Sequence, residues 1–171
     1  MSQDKFSYSN LCESCTHKSC CTDFAEPLLF PSDISKLEQI GKFNSYFIDE
    51  MQIDGKSIKI IKRKDNTNSC VFWDEKKKVC GIYENRPYDC RMFPFDIDLV
   101  DGEFYWIIYS CNPKSDWSWT EQHLQKLEND PQFDDILLHM EYFKLTSLNY
   151  VDITKEPPSV VLRKVKKKVF D

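Results

Sequence analysis

Three strand-like pairs of segments lie along this chain, and in two of them apolar and polar residues alternate. Each time a turn-like stretch divides the run, and a period of two is what a strand shows when one face is buried. The first run is Met51-Gln52-Ile53, the pair Asp54-Gly55, then Ser57-Ile58-Lys59-Ile60-Ile61. Asp-Gly suits a turn whose two central residues both need positive φ, so the pattern predicts a hairpin. The second is Cys70-Val71-Phe72-Trp73, a charged turn from Asp74 to Lys78, then Val79-Cys80-Gly81-Ile82-Tyr83. The third pairs Phe95-Asp96-Ile97-Asp98-Leu99 with the strand Glu103 to Tyr109 across Asp101-Gly102, the two aspartates facing water.

Elsewhere the period lengthens towards that of a helix. Ile34, Leu37 and Ile40 follow Pro31-Ser32-Asp33 at spacing three and stop at Gly41, a residue suited to ending a helix. In Asn85-Arg86-Pro87-Tyr88-Asp89-Cys90-Arg91, proline early in a turn predicts one helical turn from near Pro87, with Cys90 on its inner face. Beyond Cys111 two helices are expected, Thr120 to Asn129 and Gln132 to Leu148, broken at Asp130-Pro131. Their buried stripe is Leu124, Leu127, Ile136, Leu137, Met140, Phe143 and Leu148.

At 171 residues the chain has the length of one domain and can bury a core without disulfide staples. The stretch MSQDKFSYSN carries both charge signs and no apolar run before Cys12, so it does not read as a signal peptide. No segment approaches the roughly 20 apolar residues of a membrane span. The expected compartment is the cytoplasm, where thiols stay reduced. A net charge of −5 argues against a nucleic-acid binder. The run Arg163-Lys164-Val165-Lys166-Lys167-Lys168 is locally basic and is expected to be a solvated terminus, with docking of an acidic protein partner as its functional alternative.

In a reducing compartment the eight cysteines need a role other than disulfides, and soft ligation of zinc or iron is the leading one. They are Cys12, Cys15, Cys20, Cys21, Cys70, Cys80, Cys90 and Cys111. Cys12 and Cys15 form a Cys-x2-Cys pair able to reach one ion or two corners of a cluster. The side chains of the adjacent Cys20 and Cys21 diverge, which suits different irons, neighbouring sites, or one ligand beside a spectator. A zinc ribbon offers two close pairs, whereas here Cys70, Cys80, Cys90 and Cys111 come singly. Donors gathered by the fold favour an iron-sulfur cluster, with zinc as the alternative.

Four thiolates on such a centre leave a charge near −2 that needs compensation, and Arg86 and Arg91 flank Cys90 closely enough to supply it. Their other reading is an ordinary ion pair with Asp89 or Glu84. His17 lies within the first cysteine group and is either a ligand or a solvated side chain. No glycine-rich nucleotide loop and no Ser-His-Asp arrangement stands out.

The string CVFWDEKKKVCGIYENRPYDCRMFP, preceded by Cys-x2-Cys and a Cys-Cys doublet and followed by the lone Cys111, resembles the bacterial cysteine-cluster proteins of the YkgJ type. The resemblance spans about Cys12 to Cys111 and implies chelation of zinc or iron by these cysteines. One departure is that Thr16-His17-Lys18-Ser19 separates Cys15 from the doublet, where family members commonly have two residues. That loosens the assignment of Cys20 against Cys21. The flagellin lysine N-methylases look related through a similar cluster.

Together these readings predict an α+β fold: a small, mostly antiparallel sheet of hairpins around a cysteine-rich metal centre, with C-terminal helices. The expected organisation is a cysteine-cluster metal-binding domain over 1–115, a helical extension packed on it over 116–150, and a basic tail over 151–171. The expected function is metal binding, as an iron-sulfur or zinc protein. A metal-dependent protein-modifying enzyme of methyltransferase type and a zinc-stabilised interaction module are the alternatives.

Overall fold

The structure is a computed structural model that describes residues 27–77, 79–110, 116–149 and 159–166, with the backbone alone for 145–149. The elements run α1 (Pro31–Gln39), β1 (Ile48–Ile53), β2 (Lys56–Ile61), β3 (Trp73–Asp74), β4 (Val79–Cys80), a 3-10 turn (Tyr83–Asn85), α2 (Tyr88–Met92), β5 (Phe95–Val100), β6 (Glu103–Tyr109), α3 (Thr120–Glu128), α4 (Phe133–Leu138), α5 (Met140–Asn149) and β7 (Ser159–Lys164). The fold is α+β, with antiparallel strands and helices on the C-terminal side. In place of one sheet, the described strands form three: β1-β2, β3-β4 and β5-β6-β7.

Two of the hairpins follow their turns. Asp54 and Gly55 have φ of 49° and 76°, Asp101 and Gly102 have 51° and 82°, and the flanking strands pair in register from Ile53↔Lys56 and Val100↔Glu103 outward. Positive φ at both central residues matches the right-handed twist of the strands. α1 ends as expected, with Gly41 at φ 66°, its N–H on Glu38 O and the Lys42 N–H on Leu37 O.

The middle hairpin is shorter than expected, with only Trp73↔Cys80 and Asp74↔Val79 in register. The backbone curls at Cys70, where the Trp73 N–H bonds Cys70 O at 2.9 Å and the Val71 N–H bonds Lys62 O at 3.0 Å. Those donors are therefore lost to a longer β3. The second C-terminal helix is divided at His139. The ring Nδ1 meets Asp135 O at 2.8 Å, and the backbone N–H shifts to Ile136 O at 3.0 Å. The side chain thus occupies the carbonyl that the helix would have used.

The basic stretch also departs from expectation over 159–166. Ser159–Lys164 is a third strand beside β6, and Val165 is buried in the core. Among the described residues no helix is long and apolar enough to cross a membrane.

Two apolar clusters hold these elements. The larger gathers Phe30, Ile58, Tyr88, Met92, Phe95, Trp106, Leu124, Phe133 and Phe143. The smaller consists of Leu29, Leu37, Ile48, Ile61, Phe72 and Ile82, with Cys70, Cys80 and Cys90 packed against it. α2 lies between them: Tyr88 and Met92, four apart on one face, enter the larger cluster while Cys90 meets the smaller.

Candidate metal centre

Each described cysteine comes from a different local structure. Cys70 opens the curl before β3 and bridges Arg63, Cys80 ends β4 opposite Trp73, and Cys90 is the central residue of α2. All three are thiols of intermediate exposure. They sit close enough to feel one another's charge, since Cys80 raises the pKa of Cys70 and both raise that of Cys90. Three residues spaced ten apart in sequence thus pack against the same, smaller core.

The surroundings of the sulfurs differ. Burial pushes the Cys70 thiol up, while a hydrogen bond from the Phe72 N–H and the charges of Arg63 and Lys64 pull it down. An N–H aimed at sulfur favours a thiolate or a metal-bound thiolate. Burial pushes Cys90 well above the ordinary thiol range, and Asp89, Cys70, Cys80 and Asp33 add to it. Asp89 itself is pushed up to about 8 by burial and by Asp96, although its carboxylate accepts the Leu28 N–H at 2.8 Å. Burial and the neighbouring acidic groups thus disfavour a charged sulfur at Cys90, a penalty that a bound cation would offset. Backbone approach is close as well: the Gly81 N–H bonds Phe72 O at 2.8 Å, and a Cβ on Gly81 would meet that oxygen at 3.3 Å.

The arginines expected beside the centre have specific partners. Arg86 stacks its guanidinium over the Tyr83 ring at 3.8 Å and donates from Nε to Tyr83 O. Arg91 sends its terminal nitrogens to Asp130 at 2.8 Å and Gln132 at 2.6 Å, while its Nε is buried with no partner among the described residues. Among the described residues, Arg63 and Lys64, which follow β2 and were not singled out by the sequence, lower the pKa of the Cys70 thiol. The backbone bridge between Arg63 and Cys70 brings that cation beside the thiol and leaves no local signal in the sequence.

Among the described residues no group of three or more His, Cys, Asp and Glu is arranged to hold a metal ion. Cys12, Cys15, Cys20, Cys21 and Cys111, together with His17, lie outside the described residues. Cys70, Cys80 and Cys90 are soft donors of the kind that zinc and iron take.

Residues 11–112 match the family model described as "CxxCxxCC: Putative zinc- or iron-chelating domain". The chain belongs to the CxxCxxCC family. The matched span contains all eight cysteines, whereas α3 to α5 and β7 lie beyond it. An uncharacterized protein of Methanocaldococcus jannaschii is 27% identical over 89 residues, which cover 49% of this chain and 42% of that relative. The chain therefore spans less than half the length of this curated relative. No solved structure matches the chain significantly. Family membership points to chelation of zinc or iron.

Proposed function

We propose that this CxxCxxCC protein holds an iron-sulfur cluster, or zinc in its place, on Cys70, Cys80 and Cys90 together with ligands drawn from Cys12, Cys15, Cys20, Cys21 and Cys111. The observation that carries the reading is the packing of Cys70, Cys80 and Cys90, each from a separate segment, against one apolar cluster. Single donors gathered by a fold suit a centre whose corners are different metal atoms. The N–H of Phe72 on the Cys70 sulfur and the cations Arg63 and Lys64 offset part of the thiolate charge. Burial beside Phe72 and Ile82 limits access of water and oxidants. A reducing compartment, the cytoplasm, is the setting in which so many thiols remain available.

Anaerobic purification with metal and sulfide analysis and an absorption spectrum tests this directly. The expected sample is brown, carries iron and acid-labile sulfide, and bleaches in air. A colourless protein with stoichiometric zinc would replace the cluster by zinc. A metal-free protein with eight reactive thiols would sink the proposal. Cys80→Ser and Cys90→Ser should each lower metal content, because every ligand lost opens the site to exchange.

A further inference from the structure

α2 has five residues, too few to hold a helical shape without tertiary help. Four of the five are fastened elsewhere. Tyr88 donates its backbone N–H to Asp33 Oδ1 at 2.9 Å and its hydroxyl to Leu127 O at 2.6 Å. Asp89 accepts the Leu28 N–H, Arg91 bonds Asp130 and Gln132, and Met92 is fully buried. The fifth is Cys90.

The fastening converges on the junction between α3 and α4. Gln132 Nε2 donates to Asp33 Oδ1 at 2.5 Å and to the Ser32 hydroxyl at 2.8 Å, while Oε1 accepts from Arg91 and from Lys36 Nζ, both at 2.6 Å. Every hydrogen-bonding direction of that amide is used. Asp130 holds Gln132 in place through its backbone N–H at 2.9 Å and takes Arg91 with its other oxygen. Asp33 is 1% exposed, so its bonds are shielded from competing water.

We infer that Asp130 and Gln132 are positioning residues for the metal site: by gripping Arg91 and Asp33 they set the orientation of α2 and hence of Cys90. The inference rests on the proposal that Cys90 is a ligand. It adds that the helical region beyond the family-matched span takes part in metal retention. Supporting groups of this kind commonly alter metal affinity by about 10- to 100-fold.

The test uses the full chain loaded with zinc alone as the probe metal. Release into excess chelator is followed for wild type, Gln132→Ala, the isosteric Asp130→Asn, and the control Arg163→Gln. The control breaks a different fastening of α3, to Glu128 and Glu121, with no bond to α2. Urea stability is measured for each variant, as is the rate of Cys90 alkylation by iodoacetamide, read by mass spectrometry. Release about tenfold faster or more in Asp130→Asn and Gln132→Ala is expected, and between the metal-free proteins faster alkylation at Cys90 with unchanged alkylation at Cys70. Arg163→Gln should lose stability without that acceleration. If Gln132→Ala does not fold, Asp130→Asn decides the matter alone. Should wild type retain no zinc and no iron, the proposed function fails. If wild type retains zinc and the α3–α4 junction variants release it at the wild-type rate, or the control matches them, the positioning role alone is overturned.

Discussion

Glu128 carries the charge on which α3 and the three-stranded sheet meet. Its carboxylate accepts from Trp106 Nε1 at 2.9 Å, from Arg163 at 2.8 and 2.9 Å, and from the Lys166 N–H at 3.1 Å. Burial alone would raise its pKa, but these donors outweigh burial and leave it below the ordinary carboxylate range. A depressed folded pKa stabilises the fold above the unfolded value, near pH 4.3, and that contribution is lost as pH falls through the folded value. Urea midpoints measured against pH should therefore fall on acidification in the wild type and fall less in Glu128→Gln. Arg163→Ala leaves the nearly buried carboxylate without its main cation, and a loss of about 3 kcal/mol is expected from urea unfolding at pH 7. Gly81→Ala presses a methyl group against Phe72 O, with an expected cost of about 1 kcal/mol, visible as a lowered Tm.

At the scale of elements, the two Asp-Gly hairpins depend on glycine at a position that side chains resist. Gly102→Ala, at φ 82°, should cost about 1–2 kcal/mol in urea unfolding, whereas alanine at the neighbouring exposed Glu103, where φ is ordinary, should cost little. These hairpins and α1 were legible in the sequence because the signals that make them, the Asp-Gly pair and Gly41, are local. The shortened β3 was not, since its competing bond comes from Lys62 O across the chain. The break at His139 requires a ring nitrogen on a carbonyl, which apolar spacing does not record. β7 was hidden by its charge: Arg163 looked solvated because its partner Glu128 lies far away in sequence. The site divides in the same way. The cysteine framework disclosed the family, but that Cys70, Cys80 and Cys90 pack against one apolar cluster, and that Arg63 and Lys64 act on Cys70, depends on tertiary placement.

For the molecule as a whole, two apolar cores share α2, and the described cysteines, Cys70, Cys80 and Cys90, lie against the smaller. Metal removal should then act unevenly. Hydrogen exchange after chelation is expected to speed up across β3, β4 and the turn at Tyr83–Asn85, with little change in β5 and β6, whose Phe95, Ile97, Trp106 and Ile108 belong to the larger core. Uniform acceleration would mean that the two cores unfold as one. The pairing of β7 with β6 has a consequence in time. About fifty residues separate the end of β6 from the start of β7, roughly 3–10 s of synthesis at about 5–20 residues per second. During that interval the β6 edge awaiting β7 is open on the nascent chain, although Cys70, Cys80 and Cys90 have already been made. Under the proposed function, metal capture by these thiols can therefore precede closure of the sheet, while the open β6 edge waits on synthesis of β7 whether or not metal is bound.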